Sequence, residues 1–162
     1  MSFSMELNEF LVACSFMPVL LATACSDIRY MKIPNSYSLF ALTLFLLSVP
    51  LLGLETAATR AAVAGVAFII CFGLFAAGWF GGGDAKILPA TFLFVPYSIL
   101  PIYLFSFSAC MALGMIAMWG ARRVYMSEGA AWVSMRPGAA FPMGISIAGS
   151  LPAALFIGEI VT

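Results

Sequence analysis

Charged residues divide the chain into long uncharged stretches at positions 10–26, 33–54, 61–83, 87–121 and 137–158. Each stretch is mostly apolar and long enough for a transmembrane helix, which needs about 20 residues. The stretch 87–121 would extend roughly 52 Å as one helix, whereas the hydrocarbon core of a bilayer is about 30 Å thick. Pro96 and Pro101 lie inside it and favour a turn. The pattern therefore predicts six membrane-spanning helices.

The distribution of basic residues supports this number of spans, because cytoplasmic loops carry an excess of Lys and Arg. With six spans, one side receives Arg29, Lys32, Lys86, Arg122, Arg123 and Arg136. Only Arg60 falls on the opposite side. We expect an all-α polytopic membrane protein, one domain over 1–162, with both termini on the non-cytoplasmic side. The predicted helices are 10–27, 37–54, 61–80, 84–96, 101–121 and 140–160.

The composition agrees with a membrane protein, because 64% of the residues are hydrophobic and only 9% are charged. Basic and acidic residues number seven each, which argues against nucleic-acid binding, where clustered positive charge supplies much of the affinity. Histidine is absent, so catalysis by a serine–histidine pair is excluded. The four cysteines include no Cys-x-x-Cys pair for zinc or redox chemistry. We expect a protein embedded in the lipid bilayer, with no metal and no cofactor.

Two acidic residues, Asp27 and Asp84, lie at the ends of predicted helices. Asp27 closes the first helix and Asp84 opens the fourth, so both fall on the cytoplasmic side and can meet. Three glycines at 81–83 precede Asp84. Glycine is used where the backbone bends sharply or another chain approaches closely, which indicates a loop that gives access. The alternative is that Asp84 caps its helix and the glycines only turn the chain.

Helix polarity distinguishes the two carboxyl groups. Asp84 would lie at the positive end of a helix dipole, whereas Asp27 would lie at a negative end. Such a difference would leave one carboxyl group ionised and the other protonated, which is how aspartic proteases activate water and protonate the leaving amide. A cation site is less favoured, because two carboxylates without further ligands make a poor metal site.

Three stretches resemble the signatures of a known family: Asp27 followed after five residues by Ile33-Pro34-Asn35, the run Gly81-Gly82-Gly83-Asp84-Ala85-Lys86 and, more weakly, Phe141-Pro142-Met143-Gly144. The chain resembles the type IV prepilin peptidases, which are membrane aspartic proteases of the Gly-x-Gly-Asp class. The conjunction carries the resemblance, since a single short motif is weak evidence.

The resemblance implies that Asp27 and Asp84 are the catalytic pair. It implies removal of a short basic leader from pilin-like precursors, after a glycine, at the cytoplasmic face of the bacterial inner membrane. Longer family members carry an added N-terminal region with paired cysteines and also methylate the new pilin N-terminus. This chain resembles the short branch associated with Flp or Tad pili, so we expect no N-methyltransferase activity. The implied substrate-binding or supporting residues are Gly81, Gly82, Gly83, Lys86, Pro34 and Asn35.

Several alternatives stay open at this stage. Lys86 could tune the carboxyl pair or contact substrate, or it could be a topology anchor at the membrane edge. A small transporter could use the same two aspartates to bind protons or cations. A non-catalytic pilus or secretion assembly component could instead pair Asp27 with Lys86 or Arg29. An intramembrane protease of the presenilin kind would share the Gly-x-Gly-Asp motif but not Ile-Pro-Asn. The oligomeric state is not predicted.

Overall fold

The computed structural model describes residues 7–161, and these residues form helices and connecting turns without any strand. The α-helices are α1 (Leu7–Ser15), α2 (Met17–Tyr30), α3 (Asn35–Leu52), α4 (Leu54–Ala76), α5 (Asp84–Phe92), α6 (Leu100–Tyr125) and α7 (Gly144–Val161). Single turns of 3-10 helix cover Tyr97–Ile99 and Val133–Met135. The predicted all-α class is confirmed for this part of the chain.

Four segments of the described chain are long and apolar enough to cross a membrane: Leu7–Tyr30, Asn35–Leu52, Leu54–Ala76 and Tyr97–Tyr125. The segment Gly144–Ile160 is apolar but shorter, and α5 has only nine residues. Large apolar side chains such as Leu47 and Ile69 point outward, and each is 72% exposed. A surface of this kind is compatible with lipid rather than with water, so the protein is a membrane protein.

The first span is one segment with a break in the middle, and it is longer than the predicted helix 10–27. The break between α1 and α2 lies at Phe16, two residues before Pro18, which is at the start of α2. Proline has no N–H for the preceding turn, so the helical hydrogen bonds are interrupted there. Phe16 is fully buried and stacks on Phe94, with ring centroids 4.1 Å apart.

Helix α4 begins seven residues earlier than the predicted helix 61–80, because Leu54 is its first residue. A single glycine, Gly53, separates α3 from α4 and has φ = 79°, a conformation that side chains disfavour. The predicted start of this helix at residue 61 is therefore wrong. Charged residues do not stop a helix by themselves, and both Glu55 and Arg60 lie in the first turns of α4.

The fourth predicted helix, 84–96, is shorter than expected, since α5 ends at Phe92. The amides of Leu93, Phe94 and Val95 each donate to the carbonyl three residues before, which tightens the chain into 3-10 geometry. Pro96 follows, and a residue before proline is disfavoured in the helical conformation. The last two helices begin or end within a few residues of the predicted 101–121 and 140–160.

The chain passes back and forth between two ends of the bundle. At one end, which we call the aspartate end, Asp27 contacts Gly144, and Ile33 approaches Gly83. The other, which we call the opposite end, holds a cavity lined by residues from the starts of α1, α4 and α6 and the end of α3: Asn8, Glu9, Leu51, Leu52, Glu55, Thr56, Thr59, Arg60, Tyr97 and Ser98. The short α5 with the turn after it therefore joins the two ends, as the longer helices do.

Helix α5 occupies the interior. It packs against α3, α4 and α7, and most of its residues are buried. Helix α7 packs in turn against α2 and α6. This arrangement places the first residue of α5 and the first residue of α7 beside the last turn of α2.

Candidate active site

Asp27 lies in the last complete turn of α2 and is 6% exposed. The helix ends because Met31 adopts a left-handed conformation, with φ = 52°, and donates its N–H to the carbonyl of Asp27 over 2.8 Å. The chain then runs extended through Pro34 to the start of α3. The local sequence thus fixes Asp27 just before a sharp reversal.

The side chain of Asp27 is held by the first residue of α7. The backbone N–H of Gly144 donates to Oδ2 of Asp27 over 2.7 Å. The first N–H groups of a helix have no partner inside their own helix, so Asp27 supplies one to α7 from another helix. A Cβ atom on Gly144 would lie 2.9 Å from Cβ and 3.0 Å from Oδ2 of Asp27. Only glycine fits this position without displacement.

This contact adds a second helix end to the surroundings of Asp27. Asp27 lies at the C-terminal end of α2, as predicted, but it also faces the N-terminus of α7. Asp84 is the first residue of α5. The two helix ends are those expected from the sequence, and the contact of Asp27 with the N-terminus of α7 is an addition that the sequence did not indicate.

Asp84 does not cap α5. Gly83 precedes the helix, and no side-chain hydrogen bond caps the α5 N-terminus. Oδ1 of Asp84 is buried and has no hydrogen-bond partner among the described residues. The capping alternative is therefore wrong, and one oxygen of Asp84 remains available for chemistry.

Two of the three glycines before Asp84 are needed for space. A Cβ on Gly81 would lie 2.7 Å from Oδ2 of Asp84, and a Cβ on Gly83 would lie 2.8 Å from Cβ of Ile33. A Cβ on Gly82 would meet only the ring of Phe75, at 3.2 Å. The three have no positive φ angle, so their conformational freedom is not what is used. Gly83 lets the loop approach the Ile-Pro-Asn stretch, and Gly81 leaves room for the carboxyl group.

A second contact joins the two signature motifs. Nζ of Lys86 donates to Oδ1 of Asn35 over 2.9 Å, which links the start of α5 to the start of α3. Pro34 directly precedes α3 in extended conformation, and Asn35 is the first helical residue. The structure thus gives Lys86 a partner within the site. No Lys or Arg of the described residues forms an ion pair with Asp27, and the ion pair that these residues do form, Arg60–Glu9, lies at the opposite end.

The segments that carry the two aspartates lie at the same end of the bundle. Ile33, six residues after Asp27, approaches Gly83, the residue directly before Asp84. Among residues 7–161 no three His, Cys, Asp or Glu side chains group together as ligands for a metal ion. Two carboxyl groups in such an arrangement can exchange protons with a water molecule between them.

The loop after α6 folds against the aspartate end. Its 3-10 turn, Val133–Met135, packs on α2. Arg122 fastens it by donating from Nε to the carbonyl of Ser134 over 2.9 Å and from Nη2 to the carbonyl of Ala140 over 2.6 Å. Trp132 is half exposed beside an apolar pocket.

The sequence did not assign Arg122 or Gly144 to the site. For Gly144 the weak Phe-Pro-Met-Gly motif was the available signal.

Fold and site together define a class: a helical membrane protein with one buried and one half-buried carboxyl group at one end of its bundle, as in membrane aspartic peptidases. Residues 14–119, more than half of the chain, match the type IV leader peptidase family, and the chain belongs to this family. The resemblance found in the sequence is thereby confirmed. Searches of the curated proteins and of the solved structures give no match. Both aspartates lie inside the matched range, and Gly144 lies outside it.

Proposed function

We propose that this protein is the aspartic endopeptidase that removes the leader peptide of Flp-like type IV prepilins, with Asp27 and Asp84 as its catalytic pair. Membership of the leader peptidase family supports the reaction class. The observation that supports the residue assignment is the approach of Ile33 to Gly83, which brings the two motifs to one end of the bundle. No described cation forms an ion pair with either aspartate.

Catalysis follows from two carboxyl groups that share one proton. The ionised group accepts a proton from a water molecule as the water oxygen attacks the scissile carbonyl carbon. The protonated group donates its proton to the carbonyl oxygen, which gives a neutral gem-diol. Collapse of this intermediate breaks the C–N bond, and a proton moves to the leaving amine. Coupled carboxyl groups titrate as a pair, so the roles belong to the pair.

The two aspartates contribute differently to this scheme. Asp27 is oriented through Oδ2 by the N–H of Gly144, so its Oδ1 is the oxygen available to the water. Asp84 carries an unpartnered Oδ1. Gly81 keeps the space beside Asp84 open, since a side chain there would contact Oδ2. Lys86 and Asn35 hold the starts of α5 and α3 together and so set the separation of the two motifs.

We propose six membrane crossings, with both termini outside the cytoplasm and the aspartate end facing it, in the bacterial inner membrane. The alternation of the chain between the two ends of the bundle supports this topology. The basic residues support it too, because Arg60 lies at the opposite end and the other six lie in or beside the segments of the aspartate end. In this orientation a prepilin helix stays in the bilayer while its leader reaches Asp27 and Asp84 from the cytoplasm.

The proposal includes peptidase activity without N-methyltransferase activity and without a cofactor. It rests on the similarity to the Flp or Tad branch and on the lack of Cys-x-x-Cys pairs in this sequence. Incubation with a processed pilin and labelled S-adenosylmethionine tests it. Transfer of label to the pilin N-terminus would show that this part of the proposal is wrong.

The main test is leader removal from a prepilin co-reconstituted in vesicles, followed on a gel. We expect Asp27→Asn and Asp84→Asn each to lower the cleavage rate by at least about 10³-fold, as loss of one member of a catalytic unit does. Glu128→Gln, which changes an exposed acid in the loop after α6, is the control and should cleave like the wild type. Full activity in either aspartate variant would exclude the catalytic pair.

The geometry favours the peptidase over the alternatives. A transporter is expected to place its carboxyl groups near the middle of the bundle, whereas Asp27 and Asp84 lie at one end. An assembly component with Asp27 neutralised by Lys86 is not favoured, because Lys86 bonds to Asn35 instead.

A further inference from the structure

A second polar site lies at the opposite end of the bundle, away from the aspartates. The cavity there has a volume of about 420 Å³ and opens between the starts of α1, α4 and α6. This volume exceeds the space of one water molecule, which is about 30 Å³, by more than tenfold. It is large enough for a small organic headgroup.

Arg60 is a buried polar group of this cavity that is only partly satisfied. Its side chain is only 2% exposed, and Nη2 bonds to Oε1 of Glu9 over 2.6 Å. Nε and Nη1 are buried and have no acceptor among the described residues, and neither does the hydroxyl of Ser98 on the same wall. Buried donors on a charged group are strongly destabilising unless they find an acceptor. An acceptor with several oxygen atoms matches these three donor groups, and a phosphate provides such atoms.

The charges around the cavity argue against a simple anion. Glu9 and Glu55 line it together with Arg60, so the carboxylates outnumber the guanidinium group. Glu55 is exposed at the mouth and has no hydrogen bond through its side chain to another described residue. A ligand that carries a phosphate and a nearby ammonium group matches both features, with the phosphate towards Arg60 and the ammonium group towards Glu55.

The surroundings of the cavity fit a lipid. Leu47, Leu51 and Leu54 are exposed on the adjoining parts of α3 and α4, and they offer an apolar surface for acyl chains. The ends of membrane-crossing helices lie at the depth of the headgroups. We propose that this cavity binds the headgroup of one phospholipid with a primary ammonium group, phosphatidylethanolamine, through Arg60, Ser98 and Glu55.

The test uses full-length protein purified in a neutral maltoside detergent and stripped of lipid. Phosphatidylethanolamine, phosphatidylglycerol or inorganic phosphate is added, and bound lipid is counted by native mass spectrometry. We expect one tightly bound phosphatidylethanolamine per chain and weaker binding of phosphatidylglycerol, which has the phosphate but not the ammonium group. Inorganic phosphate should not compete. Equal binding of the two lipids, or displacement by inorganic phosphate, would overturn the proposal.

Variants separate this site from general lipid adhesion. Glu55→Gln should fold normally, because Glu55 is exposed, and should weaken phosphatidylethanolamine binding about fivefold with no loss for phosphatidylglycerol. Ser98→Ala should weaken both lipids. The matched control is Glu159→Gln, another exposed carboxylate, at the end of α7 and not in the cavity wall. An effect of Glu159→Gln equal to that of Glu55→Gln would show that the cavity is not the binding site.

Discussion

Replacing Gly144 by alanine puts a methyl group against the side chain that Gly144 now holds. The new Cβ would lie 2.9 Å from Cβ and 3.0 Å from Oδ2 of Asp27. Contacts this short force α7 or Asp27 to move. The hydrogen bond from the Gly144 N–H to Oδ2, now 2.7 Å long, would lengthen or break. The perturbation is therefore local to one of the two proposed catalytic groups.

The magnitude follows from the type of bond that is lost. A hydrogen bond to a charged group contributes about 1.5–3 kcal/mol, and each 1.4 kcal/mol corresponds to about tenfold in rate. We expect kcat to fall about tenfold to hundredfold if Asp27 is catalytic. KM for the prepilin should change little, because Gly144 is mostly shielded from the surface by its packing on α2. Initial rates at several prepilin concentrations separate the two parameters.

Gly149→Ala is the control on the same helix. A Cβ at Gly149 would lie 3.4 Å from Sγ of Cys110, which is an ordinary contact, and alanine is the better helix former by about 1 kcal/mol. This variant should be as active as the wild type and at least as stable. Wild-type kcat in Gly144→Ala, or an equal loss in Gly149→Ala, would refute the positioning of Asp27 by Gly144.

Three further outcomes are expected. Gly83→Ala should lower cleavage strongly and destabilise the fold by about 1–3 kcal/mol through overpacking, whereas Gly82→Ala should do much less because it meets only a ring edge; thermal unfolding and cleavage of the two variants are compared. Lys86→Met and Asn35→Ala should each reduce activity, and the double variant should be no worse than either single variant, since one bond is lost in all three; additive losses would count against the pairing. Gly53→Ala should lower the free energy of unfolding by about 1–2 kcal/mol, because its φ of 79° strains any side chain; an unchanged unfolding temperature would contradict this.

The helices were predictable where apolar runs end in glycine or proline, and less so where they end in charges. The break at Pro96 and the division of the stretch 87–121 follow from the proline pattern. The start of α4 does not follow from charges, because Glu55 and Arg60 are both helical and Gly53 alone makes the turn. Backbone chemistry decides helix ends, while a charge at a membrane edge can stay inside a helix.

The sequence by itself determined that Asp27 and Asp84 lie at the same end of the bundle. Successive spans alternate in direction, so the number of apolar runs between two residues decides whether they share an end. The motifs around them also indicated the family, which the match over residues 14–119 confirms.

Only the tertiary structure decided which side chains touch. Gly144 lies 117 positions from Asp27, and Lys86 lies 51 positions from Asn35, yet each pair is hydrogen-bonded. The sequence could not supply these contacts, because lipid is as apolar as the protein interior. Outward and inward positions of a membrane helix therefore have similar residues, and the rotation of each helix about its axis is not encoded in the hydrophobic pattern. Packing at glycine sets that rotation here, which is why the aspartate end could be foreseen and its geometry could not.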